Sequence, residues 1–300
     1  MGISQYIKEI GRRKDGARAL TRARAADLMG QVLDGAVTDL EVGAFCMAMR
    51  IKGETADEMV GFLEAAHARL NRIPSGTRST VVLPSYNGAR KLPVLTPLLA
   101  LLLARRGAAV VVHGTATESG RVLTADVFSA LGVLPMSEVR AVAQGDAVFV
   151  PTDVLCPGLQ RLLNVRRVVG LRNPAHSLVK LMNPCTGPAL LVSSYTHPEY
   201  AESMAATFER TGAHALLLRG TEGEPVADPR RSPRIDAFRG GQRYPLQEAQ
   251  AGPLLTLPNL PIALDAISTA AYIRAVLDGD LPVPEPLAQQ VEHILREKSL

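Results

Sequence analysis

The sequence predicts an α/β protein in which a small N-terminal helical domain precedes a larger domain built on a mostly parallel sheet. Three observations predict it. Up to about residue 75 the apolar residues recur three and four apart, the helical period. From Thr80 compact β-branched runs take over with helical patterns between several of them, the alternation of a parallel sheet wrapped by helices. The composition, 47% apolar and 21% charged over 300 residues, is that of a chain that folds around a core.

The opening stretch MGISQYIKEIGRRKDG is amphipathic and mixes acids with bases. It lacks the apolar centre and cleavage site of a secretory signal, and Tyr6 breaks the myristoylation pattern. TRARAADLMGQVLDGAV starts at a Thr21 cap and breaks at Gly35, TDLEVGAFCMAMRIKG runs from Thr38 to Gly53, and ETADEMVGFLEAAHARLN follows from Thr55. Each buries one stripe, so residues 1–75 form a small bundle, with the helical segment at about 157–183 folding back to join it. Residues 79–300 form the α/β domain. Its strands are TVVLPS, AAVVVHG, AVFVPTD, ALLVSSY and HALLLRG, apolar throughout and therefore buried on both faces. Leu92–Ala104 is an apolar run shorter than the roughly 20 residues that cross a bilayer, and is expected as a buried helix. DPRRSPRIDAFRGGQRYP is expected as a long surface loop. Cys46, Cys156 and Cys185 are odd in number and contain no CxxC, which indicates neither a disulfide framework nor a zinc site and suits a reducing cytoplasm.

The net charge of +4 conceals three concentrated segments. Residues 11–24 carry Arg12, Arg13, Lys14, Arg18, Arg22 and Arg24 against Asp15, a net +5. Residues 161–180 carry Arg161, Arg166, Arg167, Arg172 and Lys180 with no acid. Residues 230–243 carry five arginines against Asp236.

Four stretches carry candidate chemistry. In PSYNGARK, Asn87-Gly88 is a turn dipeptide, and backbone amides ahead of an apolar helix bind anions; Ser85, Tyr86, Asn87, Gly88, Arg90 and Lys91 are the candidate donors, and an ordinary tight turn is the alternative. In VVHGTATESGR, His113 and Gly114 end a strand before a hydroxyl-rich loop, His113 being a base, a phosphate contact or a structural histidine. No triad partner is identifiable by spacing. In LRNPAHSLVK, Asn173 is a cap, and Arg172, His176 and Lys180 recur every four residues along one face, which either meets water or lines a groove for a polyanion. Glu222 and Glu224 in RGTEGEP are too few for a dedicated divalent-cation site.

Taken in order, these landmarks resemble the anthranilate phosphoribosyltransferase fold of glycosyltransferase family 3, shared by pyrimidine-type nucleoside phosphorylases, over almost the whole chain. GAVTDLEVGAFCMAMRIKGETADEMVGF is similar to its opening bundle, TADVFSALGV to its helix after the second phosphate loop, and VRRVVGLRNPAH to its interdomain segment. The resemblance implies a helical and an α/β domain enclosing phosphoribosyl pyrophosphate and an aromatic amine. The departures fall on the chemistry: the Gly-Thr-Gly-Gly-Asp loop is Ser85-Tyr86-Asn87-Gly88-Ala89, Lys-His-Gly-Asn is Val112-His113-Gly114-Thr115, and the Asp-Glu metal pair has no clean counterpart near Glu222 and Glu224. The same altered motifs, with THPEY, resemble the YbiB group of this fold, which implies a homodimeric protein that binds DNA and RNA without marked sequence preference.

The expectation is therefore nucleic-acid binding on a degenerate transferase scaffold, with no catalytic residue, cofactor or metal. Arg12, Arg13, Lys14, Arg161, Arg166, Arg167, Arg172, His176 and Lys180 are the candidate phosphate contacts. With no Trp and 4% aromatic residues, electrostatics rather than base stacking must dominate. A homodimer through the N-terminal helices would double the basic surface. The alternatives are phosphoribosyl transfer in the interdomain cleft and a scaffold whose basic face binds an acidic protein.

Overall fold

The structure, a computed structural model, describes residues 2–12, 16–117, 120–254 and 258–300. Four helices open the chain: α1 (Ser4–Ile10), α2 (Arg22–Asp34), α3 (Asp39–Lys52) and α4 (Ala56–His67). The threonine signals set their starts. Thr21 accepts the amide of Arg24, while Thr38 and Thr55 form capping boxes with Glu41 and Glu58, each worth about 1 kcal/mol. Gly35 ends α2 at φ 70°, where a side chain would strain the backbone. Glu58 is fully buried and compensated: its carboxylate meets Lys52 at 2.6 Å and the amides of Leu20 and Thr55.

The second part alternates as expected: β1 (Thr80–Ser85), α5 (Thr96–Arg105), β2 (Val110–Gly114), α6 (Thr124–Ala130) and β3 (Ala147–Pro151). An excursion of α7 (Thr152–Leu155), α8 (Pro157–Val169) and α9 (Ala175–Leu178) leads to β4 (Ala189–Tyr195), α10 (Pro198–Thr211) and β5 (Ala215–Arg219). Then come β6 (Ile235–Arg239), β7 (Gln242–Gln247), α11 (Ala266–Asp278) and α12 (Glu285–Lys298). The sheet order is β3-β2-β1-β4-β5-β6-β7, parallel through β5 and antiparallel thereafter.

Alternation along the strands is present but hidden. Val82, Val111 and Leu191 face a core shared with the helical bundle, whereas Val81, Val110 and Leu190 face one shared with α5, α11 and α12. Both faces of these central positions are buried, so both carry apolar side chains. The helix α8 packs on α2 so closely that a Cβ on Gly158 would lie 2.2 Å from the Leu33 carbonyl oxygen.

The stretch expected as a long surface loop is instead largely the β6–β7 hairpin. Ile235 and Ala237 are buried, and Gly240 and Gly241 turn the chain at φ 54° and 82°. Pro245 is tolerated because β7 is the sheet's edge. Its arginine and proline content masked a Gly-Gly hairpin signal. Among the described residues no helix is long and apolar enough to cross a membrane.

Strand order reverses between β1 and β4, since the chain fills β2 and β3 on one side and β5 on the other. The crevice at the carboxyl ends of those two strands is where open α/β sheets bind ligands.

Candidate functional site

The loop leaving β1 is shaped by close backbone approaches. Gly88 has φ 60°, and a Cβ there would lie 2.5 Å from the Val122 carbonyl oxygen. On the neighbouring strand a Cβ at Gly114 would lie 1.9 Å from that of Ser85. These glycines let the two loops pack edge to edge.

The loop's amides do converge on an anion, but it is the protein's own. Glu222 Oε1 accepts from the amides of Arg90, Lys91 and Leu92 at 3.1, 2.8 and 3.1 Å. Glu224 Oε1 accepts from Asn87 and Gly88 at 2.7 and 2.8 Å. Its Oε2 takes the hydroxyls of Ser85, Thr96 and Thr124. The turn Thr221–Gly223 carries Glu222 at φ 51°, the one non-glycine residue with positive φ among the described residues. Such a backbone costs on the order of 1–3 kcal/mol and persists only where its surroundings hold it.

Two sequence-derived donors are corrected here. Tyr86 and His113 are buried beneath the loop: the Thr152 hydroxyl donates to the Tyr86 oxygen, and Tyr86 lies 2.8 Å from His113 Nδ1. Burial pushes the imidazole down to about 3 and the phenol upward, so both are neutral structural groups rather than a base or phosphate contacts. A strand end looks exposed in sequence, whereas here His113 is fully buried and Tyr86 beside it is bonded by Thr152 of α7 and by Thr117. Ser85 is likewise committed, to Glu224. The backbone amides of Arg90 and Lys91, not their exposed side chains, make the loop's anion contacts.

A cavity of about 380 Å³ lies beside the loop, between α3, α4 and the ends of β4 and α10. Arg172, His176 and Lys180 all line it, together with Arg50, Tyr195 and Tyr200. They are not a row on one helix, because α9 spans only Ala175–Leu178, with Asn173 Oδ1 accepting the amide of Ala175 at 3.0 Å. Lys180 leaves the surface altogether. It is 9% exposed, and its ammonium donates to the carbonyls of Gly223 and Ser194 at 2.7 and 3.2 Å. Burial pushes it down to about 8, with the Glu224 charge opposing that shift.

The basic segments separate. Arg22 and Arg24 pair with Glu64 and Glu9, leaving exposed Arg18 and Arg12, whose Nε donates to the Lys8 carbonyl at the exposed end of α1. Arg13 and Lys14 lie outside the described residues. In the hairpin region Arg230, Arg234, Arg239 and Arg243 meet Asp228, Asp236, Glu297 and again Asp236. On α8, Arg161 donates to the Leu33 carbonyl and Arg166 to that of Thr117, and Arg167 is exposed; no acid occurs in sequence from Val154 to Pro198.

Comparison with known proteins identifies the lineage. Residues 4–69 match the glycosyl transferase family, helical bundle domain. The chain is 43% identical to the uncharacterized protein YbiB of Escherichia coli, covering 97% of this chain and 92% of that one. It is 30% identical to an anthranilate phosphoribosyltransferase of Moorella thermoacetica, over 87% and 79% of the two chains. The chain belongs to the anthranilate phosphoribosyltransferase-like family. Among solved structures of that family, the Thermus thermophilus enzyme superposes with a TM-score of 0.71 at 22% identity, covering 94% of this chain and 86% of that one. Against the family's metal pair, the residues here do not fit a divalent cation. All four carboxylate oxygens of Glu222 and Glu224 already face N–H or O–H donors, and among the described residues no group of three or more His, Cys, Asp or Glu could hold a metal. The internal carboxylates are what sequence reasoning missed. The available signal was the pair Glu222 and Glu224 in RGTEGEP, considered only as metal ligands and not as partners for a loop that lacks an acid of its own.

Proposed function

We propose that the chain binds nucleic acid without sequence preference, as a member of this family whose diphosphate loop no longer serves a transferase. The observation that carries the reading is the acid-free run around α8. It offers Arg161, Arg166 and Arg167, and continues to Arg172 at the cleft, in a stretch without a single carboxylate of its own. Arg12, Arg13 and Lys14 are assigned a lesser part on the N-terminal helices, and His176 a place at the cleft wall. Lys180 is withdrawn from the phosphate-binding set because its ammonium serves Gly223 and Ser194. Cationic side chains on a surface poor in aromatic rings grip the phosphate backbone and carry no base information.

A homodimer through the N-terminal helices accords with α3, whose Leu40, Met47 and Ile51 are exposed at helical spacing along one face. Three buried free thiols accord with a reducing cytoplasm. The rival reading, phosphoribosyl transfer in the cleft, requires loop amides that Glu222 and Glu224 hold.

The test is a titration of the purified protein into labelled random-sequence DNA and RNA, with phosphoribosyl pyrophosphate as competitor. Binding that weakens steeply with salt and ignores the small competitor supports the proposal. No binding to either polymer, or displacement by the sugar phosphate at low concentration, would sink it.

A further inference from the structure

We propose that the turn bearing Glu222 is a tethered ligand, an internal stand-in for a diphosphate-class anion that keeps the loop Asn87–Leu92 closed to phosphates in solution. The proposal does not rest on the nucleic-acid reading. Five backbone amides of one short loop point at two carboxylates that sit two residues apart, a donor array suited to oxyanions in general. Nothing in that array distinguishes a carboxylate from a phosphoryl oxygen, so whichever anion is held nearest occupies it.

The tether is pinned from behind. The Gly223 carbonyl accepts from Lys180 and from Ser194 Oγ, each at 2.7 Å, and Asn87 Nδ2 donates to the Glu222 carbonyl at 2.9 Å. Gly223 itself, at φ 88°, passes so close to Asn87 that a Cβ would lie 2.0 Å from its Nδ2. Just beyond, Gln290 bonds both the Pro225 carbonyl and the Ala227 amide. A turn anchored on both sides holds its carboxylate at a high effective concentration, which free phosphate must outcompete.

The two halves differ in what they can yield. Glu224 is buried and also organises three hydroxyls beneath the loop, so it belongs to the framework. Glu222 lies at the rim, with a side chain 15% exposed, 3.7 Å from Arg121, and a left-handed backbone that glycine would adopt without strain. Removing its carboxylate uncovers the amides of Arg90, Lys91 and Leu92 while leaving the Glu224 framework in place.

The experiment is calorimetric titration of inorganic pyrophosphate into the full chain and into Glu222→Gly, with backbone amide NMR shifts of Lys91 and Leu92 followed in parallel. The expected result is binding at least about tenfold tighter in the variant, the scale of one charge-assisted hydrogen bond, with the shifts confined to that loop. Equal affinity in the two proteins, no binding by a variant that retains its melting transition, or heat without loop shifts would each overturn the proposal. If the glycine variant fails to fold, Glu222→Asn, whose shorter side chain tolerates the left-handed backbone but does not reach the amides of Arg90, Lys91 and Leu92, is judged by the same readouts and the same outcomes.

Discussion

The two arginine-rich stretches at 161–180 and 230–243 look alike in cation content and are opposites in the fold. Around the hairpin, carboxylates arrive from several elements: Asp228 before it, Asp236 within it, Glu202 from α10 and Glu297 from α12. Around α8 the sequence itself carries no acid from Val154 to Pro198, Arg161 and Arg166 donate to the carbonyls of Leu33 and Thr117, and Arg161 also lies within electrostatic reach of Asp34 on α2. A cluster of cations is thus a structural network in one place and a candidate polyanion surface in the other. What separates them is the local sequence: the hairpin stretch carries Asp236 among its arginines and Asp228 just before them, whereas the run around α8 carries no carboxylate of its own.

Four changes break or sharpen that contrast. The largest effect on binding is expected from replacing Arg161, Arg166, Arg167 and Arg172 together by Ala, which should lower affinity for random-sequence duplex by about a hundredfold or more at moderate salt, measured by fluorescence anisotropy. The largest effect on stability is its loss on acidification. His113 is held neutral in the fold with its pKa pushed down to about 3, while the unfolded chain takes up its proton below about 6.5. Stability from this group is therefore intact above pH 6.5 and is lost progressively as pH falls toward 3, on the order of 5 kcal/mol in all. Urea denaturation at stepped pH checks it, and fixes the range in which arginine variants can be compared fairly.

Third, Arg239→Ala strands the Glu297 carboxylate, which is 1% exposed, and should cost about 3 kcal/mol in urea denaturation while leaving nucleic-acid affinity unchanged. The smallest effect belongs to Arg230→Ala. Its pair with Asp228 is well exposed, so the change should move stability by less than about 1 kcal/mol and affinity not at all. A hairpin variant that weakens binding as much as the α8 variant would erase the distinction.

Much of this fold was legible because its signals are local. Thr21, Thr38 and Thr55 announce their helices through hydrogen bonds made within three residues, and the five parallel strands are continuous apolar runs bounded by turns. The hairpin was not legible, since Pro245 and the arginines argued for a loop and only pairing with β5 makes a strand of Ile235–Arg239. The site was half legible. That the loop at Asn87–Leu92 binds an anion follows from its turn and amides. That the anion is Glu222 and Glu224, more than 125 residues away in sequence, is a fact of topology. Lys180 shows the same limit: the four-residue spacing suggested one helix face with Arg172 and His176, yet the three meet at one cavity without sharing a helix, and Lys180 lies beneath the surface with its ammonium on Gly223.

The measurement that bears most directly on the central claim is the slope of log affinity against log salt for random-sequence duplex, in the wild type and in two fourfold Arg→Ala variants, one at 161, 166, 167 and 172 and one at 230, 234, 239 and 243. The account predicts that the first set flattens the slope by about 3 to 4, close to one unit for each phosphate no longer neutralised, and that any folded form of the second keeps the wild-type slope. A slope unchanged by the first set would contradict it.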